Sequence, residues 1–406
     1  MKLFFGNILE KIKYDPNSVK KNYDGKTDIY LAKVSYRYAY FKRVLCALLV
    51  VVIALFLLSG SLSYDKLFYL VKDVKLANDY VTSVHDTITY NVGNSQTFAT
   101  YREGLAVASR ERLSIFSAGG REICSSNINY GNPSLASSDK YLLLYDVGGK
   151  QFALYNSYSE VRSETFDYPI FGASIAKNGT FALITRTEGY DSVVSVYQNN
   201  DTRIDYNFSE GRVVSVAFSE NASNMVVLLA FSDGERMRSE LRSYKVGKEN
   251  YQKADITFDG IPYNVKILSG ENIVVVGANG VNAFNSNLNL IGEYLTEEEI
   301  YLYYLGEDNI AIAYPSSVSG KTAVIVLNRR SKEEKKYLFD DRILDIAIYE
   351  SSLFVKTLGG FEKIDFLSNS SSKIDIIAIE YKMLVSDKDT LIICSDSHAK
   401  YLNFTK

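Results

Sequence analysis

From residue 80 onward the apolar positions fall into runs of four or five, separated by polar or Gly-rich turns, which is a strand pattern. A first type of run reads LAVAS (105–109), YLLLY (141–145), FALIT (181–185), MVVLL (225–229), IVVVG (273–277), IAIAY (310–314), LFVKT (353–357) and LIICS (391–395). A second type follows each of these with a tighter signature of apolar, any, apolar, large apolar, polar. It reads LSIFS, FALYN, VSVYQ, LRSYK, VNAFN and VIVLN, then two degenerate copies, FEKID (361–365) and AKYLN (399–403). The paired unit recurs every ~41 residues, within the ~40–45 window of four-stranded propeller blades. Between units there is room for an outer strand such as Arg203–Phe208 and an inner one such as Val213–Ser219. The predicted fold is all-β, a β-propeller over 80–406 with eight four-stranded blades, or seven if one degenerate copy is not a blade. A solenoid with the same period needs capping ends, and none is visible in the sequence.

A ring of blades removes sheet edges only if it closes. The last unit has an inner strand (Tyr381–Ser386) and two more, then the chain ends without an outer strand. A spare strand, Thr87–Val92, precedes the first complete unit, with Ile88 and Tyr90 alternating with Thr87, Thr89 and Asn91. It is expected to complete the last blade and lock the ring.

The N-terminal part has a different pattern. Val44–Leu58 is an unbroken apolar run that Ser59–Leu62 extends to 19 residues, enough for one transmembrane helix at 44–62. Ser59 and Ser61 have the small side chains of a cleavage site, but the 43 preceding residues favour an uncleaved signal-anchor over a signal peptide. Residues 1–43 carry ten Lys/Arg against four acids, and Lys33, Arg37, Lys42 and Arg43 lie just before the run. The positive-inside bias then places 1–43 in the cytoplasm and the large C-terminal part outside, with Tyr36, Tyr38, Tyr40 and Phe41 as an interfacial belt. Leu67, Leu70, Val71, Val74 and Ala77 have helical spacing and suggest a short stalk helix within 63–79. Phe4, Phe5, Ile8, Leu9 and Ile12 have the same spacing near the start. They are read as an inner-leaflet helix, a docking site for a cytoplasmic partner, or equally a frayed basic tail.

Composition narrows the chemistry. Apolar residues make up 47% and charged residues 23%, so a core can form, and a net charge of −3 removes any whole-chain case for nucleic-acid binding. Two His and three Cys leave little with which to build a metal or haem site, and no cofactor is expected. Nucleophile-elbow, phosphate-loop and zinc-protease motifs are absent. Gly148-Gly149-Lys150 sits between two strands and is read as a hairpin turn. His85 and His398 are read as surface residues, and Cys124 and Cys394 as unpaired thiols. Asp340-Asp341 and Glu297–Glu299 fall at blade junctions. The most unusual local cluster is Tyr301, Tyr303 and Tyr304, beside those glutamates. It is either a partner-binding surface at the channel or, more simply, core packing.

A basic segment, one span and these loose turn–strand repeats resemble a domain-of-unknown-function family of bacterial, mostly Gram-positive, single-pass membrane proteins with an extracytoplasmic propeller. In outline they are also similar to WD40-like and quinoprotein-like propellers. The sequence departs from the latter two: it has no Gly-His…Trp-Asp pair and no Trp at all. Their cofactor and enzyme assignments therefore do not carry over.

The function expected on these grounds is a membrane-anchored binding or scaffolding module for an envelope protein or cell-wall partner, held in the lipid bilayer by 44–62. One alternative is a propeller hydrolase or lyase with acids at the central channel; another is a ligand sensor signalling to the cytoplasmic tail. Topology is directly testable. Protease added to spheroplasts should remove nearly the whole C-terminal domain and spare a tail ending at Arg43, and protection of the large part would overturn the orientation.

Overall fold

The computed structural model describes residues 40–51 and 87–404, apart from short gaps at 94, 103, 139, 158, 199–201, 235, 319 and 379–380. Two compact units result, split near Val81. In the first, 40–51 is helical and its Leu45, Leu48, Leu49, Val50 and Val51 side chains are more than half exposed. This helix covers the start of the expected span. Positions 52–62 and the expected stalk at 63–79 lie outside the described residues, as does 1–39. Among the described residues no helix is long and apolar enough to cross a membrane.

The second unit is a β-propeller. Its described residues form thirty-two strands, β1 (Thr87–Thr89) to β32 (His398–Asn403), in eight four-stranded antiparallel sheets. Eight blades are therefore present and the seven-blade alternative falls away. Both degenerate copies are strands, β28 (Gly360–Asp365) and β32. The inner strands are β2 (Thr97–Tyr101), β6 (Pro133–Ser137), β10 (Ile170–Ile175), β14 (Arg212–Phe218), β18 (Pro262–Leu268), β22 (Leu302–Leu305), β26 (Asp345–Tyr349) and β30 (Lys382–Val385). The two runs recognised in each repeat are the middle strands of the blades. They read as continuous apolar stretches because both of their faces are covered. Outer strands such as β9 (Glu160–Thr165) and β29 (Ser370–Asp375) alternate exposed and half-buried instead.

The core is divided among the blade interfaces. Eight apolar clusters each join two neighbouring blades; Leu143, Phe152 and Phe166 of the second blade meet Ile170, Phe181 and Tyr197 of the third. The Phe181 and Tyr197 rings stack with centroids 4.7 Å apart. Turn chemistry behaves as the sequence implies at Val147–Lys150. Gly148 has φ 79°, and a Cβ on Gly149 would strike the Asp146 carboxylate. That carboxylate accepts from the Gly131 and Asn132 amides (3.0 and 2.6 Å), tying the hairpin to the entry of its own blade.

Closure follows the expected route. β1 pairs with β32 in the order β1-β32-β31-β30, where β31 is Thr390–Cys394, with Thr87, Ile88 and Thr89 opposite Lys400, Ala399 and His398. The regular ladder is shorter than the expected Thr87–Val92, but the side-chain alternation continues. Ile88, Tyr90 and Val92 are buried between the last blade (Ile392, Cys394, Ala399) and the first (Leu105, Val107, Phe116). Tyr90 also hydrogen-bonds Ser397 O through its amide (3.0 Å) and Ser395 O through its hydroxyl (2.6 Å).

These contacts make closure measurable. Ile88→Ala should cost about 2–5 kcal/mol, as for buried large-to-small changes, and lower the melting temperature by several degrees. Tyr90→Phe should cost about 1 kcal/mol. Ile377→Ala, at an exposed site, should change stability by less than about 0.5 kcal/mol. Equal effects from Ile88→Ala and Ile377→Ala would mean that the ring closes by other contacts.

Candidate functional site

Every inner strand runs the same way through the ring, so the two faces differ. On the start face the inner strands begin, the outer strands end, and the hairpins between the middle strands turn. On the end face the inner strands finish and the remaining turns lie. Because β1 is an outer strand, the chain enters the ring at the rim of the end face.

A cavity of 600 Å³ lies at the end face. Its wall comes from inner-strand ends and the turns that follow, including Arg102, Ser137, Lys266, Tyr304, Glu307 and Glu350. Lys266 donates through Nζ to Leu305 O (2.6 Å), and burial pushes its pKa down, with Glu307 opposing and Lys177 adding to the fall. A second amine, Lys356, is buried and donates to Tyr381 O. Burial lowers its pKa too, against the charge of Asp345. Asp345 is the register partner of Lys356 and accepts from the Ile346 amide (2.9 Å). Burial raises its carboxyl pKa, offset by that hydrogen bond and by Lys356 and Lys382.

The three tyrosines do not form one cluster. Neighbouring strand residues point to opposite sheet faces, so β22 sends Tyr303 towards the fifth blade and Tyr304 towards the seventh. Tyr304 reaches the end-face cavity. Its phenol is pushed up by burial, then by Asp345 and Glu307. Tyr303 packs against the fifth–sixth blade core and stacks on Tyr263, with centroids 5.9 Å apart and planes 15° apart. Tyr301 lies at the start face, exposed, where it shares a shallow hollow with Pro262, Tyr263, Glu299, Ile300 and Tyr303. Tyr263 donates to Glu299 Oε1 (2.8 Å), and burial followed by that glutamate pushes its pKa up to about 12. Tyr303 is thus half-buried against the core, whereas Tyr301 and Tyr304 sit at opposite ends of the channel.

The remaining candidates resolve separately. His85 lies outside the described residues. His398 is half-buried, with Nδ1 2.9 Å from Ser395 Oγ. Among the described residues no group of His, Cys, Asp and Glu could hold a metal ion. Cys124 and Cys394 are free thiols, and burial raises the pKa of both. Asp340 and Glu297–Glu299 lie on start-face blade junctions, Asp340 paired with Lys321 at 2.9 Å. Lys266, Lys356 and Tyr263 were missed by sequence reasoning. The available signal was a lysine between apolar residues near the end of an inner-strand run (VKIL within PYNVKIL, 262–268).

The chain belongs to a family of unknown function (DUF5711), whose model matches residues 77–403. No match is found among curated proteins. Among solved structures it is similar to Saccharomyces cerevisiae Sqt1, with TM-score 0.58 and 11% identity over 80% of this chain and all of that one. BamB from Moraxella catarrhalis gives 0.54 and 12% over 79% of this chain and 99% of its own, and apo AztD from Citrobacter koseri 0.53 and 9% over 73% and 90%. At such identities these likenesses establish the propeller fold alone.

The cavity amine gives a pH test. The folded chain holds the Lys266 proton less firmly than the unfolded chain, so unfolding takes up a proton between the lowered folded value and the usual 10.5. Stability from this group therefore rises with pH across that window. Lys266→Met should raise the melting temperature most near neutral pH, and the advantage should shrink towards pH 10.5. A difference that does not vary with pH would show that Lys266 carries no shifted proton.

Proposed function

We propose that the chain is a non-catalytic binding or scaffolding propeller, anchored in the cell membrane by its N-terminal segment, with the ring outside and a protein partner in the envelope. The anchor reading is supported by the exposed apolar side chains of helix 40–51, which open the apolar run 44–58 that Ser59–Leu62 extends, and by the basic residues before it. A catalytic reading would need two carboxylates placed across a pocket. The end-face cavity does carry Glu307, Asp308 and Glu350 in its wall, while Lys266 and Lys356 are engaged with backbone carbonyls and Asp345 faces Lys356 across the ladder.

One observation carries the binding reading. Among the described residues most of the large apolar side chains that the ring leaves exposed lie towards the start face, where Ile261, Leu295, Tyr301, Val318, Leu358 and Ile377 are 43–76% exposed, with fewer, such as Leu290, Tyr349 and Leu367, towards the end face. Scattered exposed apolar residues are ordinary, but a gathering on one rigid face marks an interaction surface. A photo-crosslinking residue at Leu358 or Val318 should therefore capture the same discrete protein in intact cells. The same residue at Leu367, exposed on the end face, should not. No protein adduct from the start-face sites would overturn this function.

A further inference from the structure

The start-face side chains lie on successive junctions and hairpins of the fifth to eighth blades, a crescent held together by backbone bonds. Ala278 N bonds Ile261 O (2.9 Å) and Ile300 N bonds Ala278 O (2.7 Å), joining Ile261 to the junction that carries Tyr301. The Tyr301 hydroxyl lies 3.4 Å from Thr322 Oγ1, and the adjacent Lys321 pairs with Asp340. From that junction Leu344 N bonds Lys356 O (2.8 Å), and past the next hairpin Ala378 N bonds Leu358 O (3.4 Å), beside Ile377. These junctions also carry exposed acids: Asp259, Glu297, Glu298, Asp340 and Asp341. The cations there are Lys321, paired with Asp340, Arg342, and Lys382 at the head of β30, fewer than the acids. The crescent is thus apolar and net negative.

Charge selects among the possible occupants. A second copy meeting this face with its own would bring acid against acid. A membrane surface rich in anionic lipid would be repelled by the same carboxylates. A protein surface in which Lys or Arg alternates with apolar side chains matches both properties. Resting on the partner-binding reading above, we infer that the crescent formed by the blade junctions around Ile261, Tyr301, Asp341, Leu358 and Ile377 docks a basic, apolar-studded segment of a partner protein.

The test uses the full chain in detergent and two amphipathic peptides, one with Lys and Leu at helical spacing and its twin with every Lys replaced by Glu. The Lys peptide should bind roughly tenfold tighter or better, more so at low salt. Glu297→Lys combined with Asp341→Lys should abolish that preference, and Leu358→Ser with Ile377→Ser should weaken binding of the Lys peptide roughly tenfold. Glu220→Lys with Asp308→Lys, on the end face, should change it by less than about twofold. Equal binding of the two peptides, or equal losses from start-face and end-face variants, would overturn the inference. Crosslinking from Leu358 in cells separates the levels. A protein adduct without Lys preference overturns this inference and leaves the binding function standing; an adduct to lipid alone, or no adduct, removes both.

Discussion

The ring depends on the packing of one short segment, Ile88 to Val92, between the first and last blades. Three ladder pairs join β1 to β32, each worth about 0.5–1.5 kcal/mol net of water. Burying Ile88, Tyr90 and Val92 contributes about 1.5–3 kcal/mol for each side chain. The apolar term is the larger, and the ladder serves chiefly to set register. A one-residue slip would turn Thr87 and Thr89 inward and Ile88 outward, so burial also enforces the pairing. Without this segment β32 would be an open edge, and the core cluster between the last and first blades would lose one wall.

Closure by an N-terminal strand also makes the two faces unequal. The chain reaches the ring at the end face, on the same side as the channel cavity with its lowered-pKa lysine. The start face has no such entry and carries the acidic, apolar crescent. A rigid blade stack holds these loops in place, because every hairpin there continues from strands whose side chains pack against a neighbouring blade. Recognition on such a surface needs little ordering on the ring's side, which lowers the entropic cost of binding.

Much of this was legible from residue order. The middle strands announce themselves because both their faces are buried, so LAVAS or FALIT reads as a continuous apolar run at a fixed period. Closure was legible because Thr87–Val92 had the right alternation and the last repeat lacked a strand. The degenerate copy FEKID obscured the blade count, since Lys363 sits, half-buried, where other blades mostly place an apolar residue. The tyrosine cluster misled because adjacency in sequence means opposite faces in a strand. Lys266 and the crescent were not legible for a geometric reason. Both are assembled from positions ~40 residues apart, and only the rotation from blade to blade brings them together.

On the docking reading, the acids of the crescent would serve two physical roles at once. Six large apolar side chains held on one face are an aggregation hazard for an unpartnered protein, and nearby like charge is the common remedy. If protection were the only role, charge of either sign would serve. The junctions instead concentrate carboxylates, and their Lys321 is neutralised by Asp340. A net negative field would discourage self-association and would also discriminate between partners that bury the same apolar area equally well. Apolar area then supplies the affinity, while charge decides which surfaces are admitted.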